Sequence, residues 1–278
     1  MVKAKVTAAF FALALLAACS GGYGFKWQKH VMDGSRTGVK SPSADNVPQA
    51  LGVVEDGAYI SPNGRRFVAG NTRAVAEALI GVQPEMARLK EVIAYAPEDL
   101  YRSKTRECAL FDFVVDRLAA DVAEVTGRRV DFGFTNTGGI RVDIPAGDVL
   151  LDDLVSMLPF KNYLTWVELK GSDIRAALEY MAETKPQCIS GGRLVIKGGK
   201  LLSAEIGGEP LDDDRWYGVA TIDFLLDGGD GYKLARGARD YIITDVLIGD
   251  AVLADVRALT AAGKALEYKT DGRIKVEE

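Results

Sequence analysis

Histidine is almost absent from this 278-residue chain, which contains only His30. Two-metal hydrolases usually hold their ions with several imidazoles and carboxylates, because neutral imidazole suits transition metals and fixes the geometry that activates water. We therefore expect no metal site and no catalytic residue in this chain. Aspartate and glutamate alone could still bind Mg²⁺, so a hydrolase that uses carboxylates is the alternative.

Long apolar runs are also missing. The most apolar segment, residues 6–16, is shorter than the about 20 residues that a transmembrane helix needs. It follows two lysines and leads into Ala17-Ala18-Cys19, the pattern of a signal peptide with a lipoprotein box. We expect residues 1–18 to be removed and Cys19 to be acylated, since several lipid chains together anchor a protein stably. The alternative is a plain secretory signal in which Cys19 is incidental.

This signal predicts a location in the cell envelope, as a membrane-anchored lipoprotein on the periplasmic side or at the outer membrane. Cysteine is otherwise scarce, and only Cys108 and Cys188 remain. An oxidising envelope would allow these two residues to form a single disulfide. Buried free thiols are the alternative, and the sequence leaves both open.

An excess of positive charge is absent too. The chain has 34 lysines and arginines against 39 aspartates and glutamates, which gives a net charge of −5 and a pI near 5.2. Such a chain has no general attraction for polyanions, so DNA and RNA are not expected partners. Any phosphate group must therefore be bound by a local site.

The chain changes character near residue 72. Residues 19–71 are rich in Gly, Ser, Pro and Asn and are predicted to be a tether with a hairpin extension, whose turn is Asn63-Gly64. Residues 72–278 alternate between helical and strand patterns, which predicts one mixed α/β (α+β) domain. The predicted helices are Glu107–Val125, ended by Gly127, one capped by Ser172, and others near 74–80, 151–157 and 249–262; the predicted strands are 92–95, 130–135, 163–169, 193–196, 201–206, 216–222 and one near Ile274.

A glycine-containing loop, Asn136–Arg141, follows one of these strands. Gly138 and Gly139 allow the backbone to turn sharply and to approach a ligand without Cβ clashes. The guanidinium of Arg141 offers a fork of donors that matches phosphate oxygens or paired hydroxyls. Taken alone, the same residues also fit a plain β-turn with a surface arginine.

Two further loops carry aromatic residues. Pro159 fixes the backbone just before Phe160, and the loop Leu226–Tyr232 is glycine-rich enough to present Tyr232 on a tight turn. Two aromatic rings on separate loops can sandwich a planar base, and each face contributes roughly 1–3 kcal/mol. The alternative reading of Phe160 is a core residue.

The order and approximate spacing of these loops resemble the C-terminal domain of the 5′-nucleotidase family. The resemblance covers the chain from about residue 72 to the end and implies a layered α-β-β-α domain. It rests on four segments that match the family's Asn-x-Gly-Gly-Ile-Arg, Leu-Pro-Phe-x-Asn, Val-Glu-Leu-x-Gly and Gly-Gly-Asp-Gly-aromatic motifs, namely Asn136–Arg141, Leu158–Asn162, Val167–Gly171 and Gly228–Tyr232.

The resemblance implies a site for a nucleotide or nucleoside. Phe160 and Tyr232 would stack on the base, and Arg141, Asn136 and Asn162 would contact the ribose or phosphate. An aspartate that the family places after the aromatic of the glycine loop is missing near Ala238, although Asp240 lies close by. The full set of implied substrate-binding residues is Arg102, Arg106 (with Lys104 as an alternative), Asn136, Gly138, Gly139, Arg141, Phe160, Asn162, Gly229, Asp230, Gly231 and Tyr232.

The family's metallophosphatase motifs are not found in this sequence. The resemblance therefore implies the substrate-binding half of a split nucleotide phosphohydrolase that serves nucleotide catabolism in the cell envelope. The partner would be a separately encoded metallophosphatase, which would hold the divalent metal, and this chain would need no cofactor. The alternatives are a self-sufficient nucleotide hydrolase and a non-enzymatic nucleoside-capturing or structural lipoprotein. The preferred base, sugar and phosphate count stay open.

Overall fold

The computed structural model describes residues 46–103 and 107–277. The signal peptide, Cys19 and His30 lie outside the described residues, as do Lys104 and Arg106. The chain divides into two compact units, with the division between residues 80 and 81. Within the described ranges, no helix combines the length and apolar character needed to cross a membrane.

The described part of the first unit contains a small antiparallel sheet. Gly64 turns the chain between two of its strands with a φ of 81°, a left-handed conformation that favours glycine. Tyr59 pairs with Phe67 across this turn, which confirms the predicted hairpin. The elements are α1 Val47–Leu51, β1 Val53–Glu55, β2 Ala58–Ile60, β3 Arg66–Phe67 and α2 Asn71–Gly81.

The second unit is a mixed α/β domain, which confirms the predicted fold class. Its helices are α3 Gln83–Leu89, α4 Ala109–Thr126, α5 Leu151–Met157, α6 Gly171–Thr184 and α7 Ile248–Ala261. Its strands are β4 Val92–Ala96, β5 Phe132–Thr135, β6 Gly147–Leu150, β7 Tyr163–Lys170, β8 Cys188–Ser190, β9 Gly192–Lys197, β10 Lys200–Ile206, β11 Glu209–Pro210, β12 Trp216–Ile222, β13 Asp240–Leu247 and β14 Ile274–Glu277.

A five-stranded sheet with the order β13-β7-β12-β5-β8 forms the centre of this domain. Neighbouring residues of β5 face opposite sides of the sheet, as the period of two requires. Phe132 and Phe134 lie beside Leu178 of α6, whereas Gly133 faces α4, where an added Cβ would lie 3.3 Å from the Cβ of Ala119. Helices therefore cover both faces. A four-stranded sheet, β11-β10-β9-β14, lies beside α6.

Helix α4 begins two residues later than the sequence predicts. Cys108 has an extended backbone and precedes the first helical residue, Ala109. The carboxylate of Glu107 accepts the backbone N–H of Ile274 at 3.0 Å, which ties the chain before the helix to β14. The helix ends as predicted at Gly127, whose φ of 63° is the left-handed conformation of a helix C-cap.

Helix α6 is not capped by Ser172, so this prediction is wrong. The helix starts one residue earlier, at Gly171, and its N-cap Lys170 makes no side-chain capping bond. Tertiary contacts satisfy this start, because the backbone N–H groups of Gly171 and Ser172 donate to the carbonyl oxygens of Arg215 and Asp213. Position 171 also requires glycine, since a Cβ there would lie 1.9 Å from the carbonyl oxygen of Asp212.

Strands β6, β8, β11 and β13 were not predicted. The first three have only two to four residues, and on β13 the apolar residues Tyr241 and Ile243 are exposed, so apolar and polar residues do not alternate in its sequence.

Cys108 and Cys188 are both free thiols in the structure, so the free-thiol alternative holds. Cys188 is buried in β8, next to the start of α4. Burial raises the pKa of its thiol well above the usual value, because an apolar environment disfavours the thiolate. The thiol therefore stays protonated at neutral pH.

A buried arginine joins the C-terminal strand to helix α4. Arg273 binds both carboxylate oxygens of Asp116, at 2.7 and 2.9 Å, and donates to the carbonyl oxygen of Ile189 at 2.9 Å. Its Nε also lies 3.0 Å from Asp271 and 3.8 Å from the buried carboxylate of Asp112. The two-point contact with Asp116 balances the positive charge of Arg273, which would be costly to bury without a partner.

Asp112 should make the stability of the domain depend on pH. Burial raises the pKa of its carboxyl group to about 8, against the attraction of Arg273, and Glu107 and Asp271 add repulsion. Between pH 4 and 8 the folded protein therefore keeps a proton that the unfolded chain has lost, and folding becomes less favourable as the pH rises. We expect the stability of Asp112→Asn relative to wild type to increase across this range.

Urea unfolding at several pH values between about 4 and about 8 measures this difference. Asp148→Asn changes an exposed aspartate on β6 and serves as the matched control. Its curve should run parallel to that of the wild type. A constant difference between Asp112→Asn and wild type at every pH would contradict the prediction.

Candidate functional site

Three loops meet at one end of the five-stranded sheet. β12 runs parallel to β5, so the loops that follow these two strands leave the sheet at the same end. β7 runs antiparallel to β12, so the loop that precedes β7 lies at that end as well. The sheet thus brings together loops 136–141, 158–162 and 223–232, although they are far apart in sequence.

A cavity of ≈ 270 Å³ opens between these loops. Seven of the twelve predicted site residues line it, together with Phe224, which no sequence motif predicted. The lining residues are Asn136, Gly138, Gly139, Arg141, Phe160, Asn162, Phe224 and Asp230.

Two half-exposed aromatic rings belong to the cavity wall. Phe160 is 49% exposed and Phe224 is 45% exposed, so neither ring is a core residue. Phe224 sits in a short 3₁₀ turn directly after β12, and the preceding Asp223 accepts the backbone N–H of Tyr163 at 2.9 Å. Gly229 is required beside this turn, because a Cβ there would lie 2.1 Å from the carbonyl oxygen of Phe224.

The predicted pairing of Phe160 with Tyr232 is wrong. Tyr232 is only 3% exposed and does not line the cavity. Its ring lies edge-on between Phe134 and Tyr180, with centroid distances of 4.9 and 5.1 Å. Burial raises the pKa of its hydroxyl group. Tyr232 therefore anchors the glycine loop to the domain. Phe224, eight residues earlier, is the second aromatic residue of the cavity wall, where Tyr232 was predicted.

Arg141 brings a positive charge to the cavity. Its Nη1 donates to the carbonyl oxygen of Gly138 at 3.1 Å, and its Cζ lies 5.8 Å from the ring centre of Phe160. Among the described residues it forms no ion pair. The charge is thus held in place by the loop and is available to an anion.

Asp230 brings a negative charge to the same cavity. Its Oδ2 accepts a hydrogen bond from Nδ2 of Asn136 at 2.7 Å, which links the glycine loop to the end of β5. Asn136 is 5% exposed, so this contact is shielded from water. Asp230 is the aspartate that lines the cavity, whereas Asp240 lies on β13, pairs with Arg128 at 3.5 Å and is absent from the lining.

The basic residues before α4 are not brought into the cavity where the structure describes them. Arg102 is exposed and does not line the cavity; its Nε binds Asp143 at 2.9 Å. Arg106 and its alternative Lys104 lie outside the described residues. Contact of any of these residues with a phosphate stays a prediction.

The cavity therefore offers three kinds of contact. Two rings can stack on a planar group, a guanidinium can bind an anion, and a carboxylate can accept hydrogen bonds from hydroxyl groups. Gly231 does not line the cavity but shapes the loop that carries Asp230, with a φ of 87°. Phe224 lies two residues after the predicted strand 216–222, but the sequence does not show that this strand ends beside the Asn136 loop.

Comparison with known proteins identifies the domain that the sequence motifs resemble. Residues 86–236, more than half of the chain, match the family model described as 5′-nucleotidase, C-terminal domain. The chain is 35% identical to Silent protein UshA(0) of Salmonella typhimurium over 132 residues, which are 46% of this chain and 24% of that protein. The chain thus spans about a quarter of the length of the curated relatives that it matches.

Solved structures show the same likeness. The 5′-nucleotidase precursor from Thermus thermophilus matches with a TM-score of 0.65 and 29% identity, over 73% of this chain and 43% of that chain. NAD nucleotidase from Haemophilus influenzae shares the fold, with a TM-score of 0.55 and 17% identity over 80% of this chain and 48% of that chain. Because the family match covers more than half of the sequence and includes all eight residues that line the cavity, the chain belongs to the 5′-nucleotidase C-terminal domain family.

Proposed function

We propose that this domain binds a nucleoside or nucleotide in the cavity between the three loops. The main support for the proposal is the lining of this cavity. It contains two half-exposed rings, Phe160 and Phe224, and two charged groups, the guanidinium of Arg141 and the carboxylate of Asp230. A nucleotide carries a planar base, a sugar with hydroxyl groups and an anionic phosphate. The cavity has one kind of group for each. The likeness to a protein named as 5′-nucleotidase precursor supports this choice of ligand.

The base would stack on Phe160 and Phe224. Stacking on an aromatic ring contributes roughly 1–3 kcal/mol for each base, and every base has a π-face. The rings therefore provide affinity for nucleosides in general rather than a preference for one base. Asn162, which directly precedes β7, lies in the same wall and can form hydrogen bonds with the edge of the base or with the sugar.

The charged residues would bind the rest of the ligand. The guanidinium of Arg141 matches phosphate oxygens, which are bound more strongly when the hydrogen bond is charge-assisted. The carboxylate of Asp230 has one oxygen bound to Asn136, and its second oxygen is available to sugar hydroxyl groups. Gly138 and Gly139 permit the ligand to approach the backbone closely.

Hydrolysis would be completed by a separately encoded metallophosphatase. In this arrangement the domain holds the nucleotide and orients its phosphate toward divalent metal ions bound by the partner. The chain itself contains one histidine, whereas such metal sites usually use several imidazoles. Acylation of Cys19 would keep the domain at the membrane of the cell envelope, where the pair would serve nucleotide catabolism.

Removal of either ring should weaken nucleotide binding. We expect Phe160→Ala and Phe224→Ala each to raise the Kd for AMP by roughly 5- to 150-fold, which corresponds to the loss of about 1–3 kcal/mol of stacking. Isothermal titration with AMP measures the change. Tyr241→Ala removes a similarly exposed ring on β13, outside the cavity, and should bind AMP like the wild type. Unchanged affinity in both phenylalanine variants would exclude the proposed base site.

Removal of the guanidinium should affect nucleotides and nucleosides differently. Arg141→Gln should raise the Kd for AMP by about tenfold or more, because a hydrogen bond to a charged group contributes roughly 1.5–3 kcal/mol. Adenosine, which has no phosphate, should bind both proteins alike. Arg128→Gln is the control, since Arg128 is outside the cavity and stacks on Trp166. An equal loss of AMP and adenosine binding would place the phosphate elsewhere.

The chain alone should not hydrolyse AMP. We expect no phosphate release above background with Mg²⁺, Mn²⁺ or Zn²⁺, and release when a secreted metallophosphatase encoded beside this gene is added. Phe160→Ala with Phe224→Ala should reduce release by the mixture. Turnover by the chain alone would contradict the split enzyme and would favour a self-sufficient hydrolase. Binding without any effect on the phosphatase would instead favour a nucleoside-capturing lipoprotein.

A further inference from the structure

Asp230 has an unusual backbone conformation for the residue type. Its φ of 48° and ψ of 24° lie in the left-handed region, where, within the described residues, Asp56 is the one other non-glycine residue. Aspartate tolerates this region better than most residues, but the conformation persists only where the surrounding structure enforces it. The contacts that enforce it at Asp230 therefore decide where its carboxylate points.

Two side chains hold Asp230, and they approach from different elements. Nδ2 of Asn136, at the end of β5, donates to the carboxylate Oδ2 at 2.7 Å. The hydroxyl group of Tyr180, on α6, donates to the backbone carbonyl oxygen of Asp230 at 3.3 Å. One contact fixes the side chain and the other fixes the backbone. Tyr180 does not line the cavity, so it can influence a ligand only through Asp230 and the loop around it.

Two glycines leave the space that these contacts need. A Cβ at Gly231 would lie 2.3 Å from the hydroxyl oxygen of Tyr180, so a larger residue would displace that hydroxyl group. A Cβ at Gly138 would lie 3.3 Å from Nδ2 of Asn136 and 3.5 Å from Oδ2 of Asp230. The glycines of the two loops are thus placed around the Asn136–Asp230–Tyr180 contact as well as around the cavity.

The amide of Asn136 has one workable orientation. Its Oδ1 is shielded from solvent and accepts no hydrogen bond within the described part of the chain. Turning the amide over would place this oxygen against the carboxylate of Asp230 and create repulsion. With the amide nitrogen toward Asp230, the carboxylate Oδ2 is occupied and Oδ1 is the oxygen left for a ligand.

We propose that Asn136 and Tyr180 are positioning residues that hold Asp230 so that its free carboxylate oxygen accepts hydrogen bonds from the sugar hydroxyl groups. This inference rests on the proposed nucleoside site. Asn136 also lines the cavity, so its predicted contact with the ligand stays a prediction beside this positioning role. Tyr180 acts from outside the cavity, and no sequence motif selected it.

The test compares adenosine with 2′,3′-dideoxyadenosine, which lacks the hydroxyl groups, by isothermal titration of the full mature chain. For wild type we expect adenosine to bind at least about tenfold more tightly, as for a hydrogen bond to a charged group. In Asn136→Ala the Kd values for the two ligands should differ by no more than about threefold. In Tyr180→Phe the ratio of the two Kd values should fall by roughly threefold. The Kd for dideoxyadenosine should stay within about twofold of wild type in Tyr180→Phe, which changes no residue of the cavity wall.

The constant affinity for dideoxyadenosine separates positioning from general damage, because a distorted cavity would weaken both ligands equally. Tyr180→Phe keeps the ring that packs against Tyr232 and removes only the hydroxyl group. Tyr241→Phe changes an exposed tyrosine outside the cavity and should keep the wild-type ratio. Thermal melting of each variant checks the fold.

Several results would overturn the inference. A wild-type ratio in both Asn136→Ala and Tyr180→Phe would show that neither residue positions the carboxylate. Parallel loss of both ligands in Tyr180→Phe would assign Tyr180 to the fold alone. Equal binding of the two ligands by wild type would remove the role of Asp230, while leaving the nucleoside site intact. Binding of neither ligand by wild type would overturn the proposed function itself, and this inference with it.

Discussion

The pairing of β12 with β5 on one side and with β7 on the other is the constraint on which the cavity depends. These strands are buried, so their register is strongly specified: a shift of one residue would turn every apolar side chain to the opposite face. Because the register is fixed, the ends of the three strands are fixed too. The loops that carry Asn136, Phe160 and Phe224 therefore start from fixed points of the sheet.

The same constraint explains why much of the fold could be predicted from the sequence. Buried strands and amphipathic helices have clear periodicities, and the helix α5 and the strand β12 have the predicted bounds. Helix ends were less predictable, because tertiary contacts decide them. The backbone N–H groups at the start of α6 donate to carbonyl oxygens of Asp213 and Arg215, and the backbone N–H of Ile274 donates to the carboxylate of Glu107 just before α4. Partners so distant in sequence leave no local signal.

The site was predicted in part for a similar reason. Glycine, proline and arginine in the loops indicated a ligand site, and these loops do meet at one cavity. The sequence predicted Tyr232 as a stacking residue, because the glycine loop and the family motif indicated that a tight turn presents it to a ligand. Its neighbours Phe134 and Tyr180 bury it, and both are contributed by other parts of the chain. Which of two aromatics faces solvent depends on packing that sequence spacing does not contain.

The distance in sequence between the joined loops also bears on the order of folding. Asn136 and Asp230 are 94 residues apart, and the bond between Gly218 and Asp131 that starts the β12–β5 pair closes a span of 87 residues. Such non-local closures are slow, because chain entropy is lost before the contacts form. A nascent chain that has emerged only as far as β11 would contain Phe160 and Arg141 but no complete pocket. The capacity to recognise a ligand therefore arises late, when β12 inserts into the sheet.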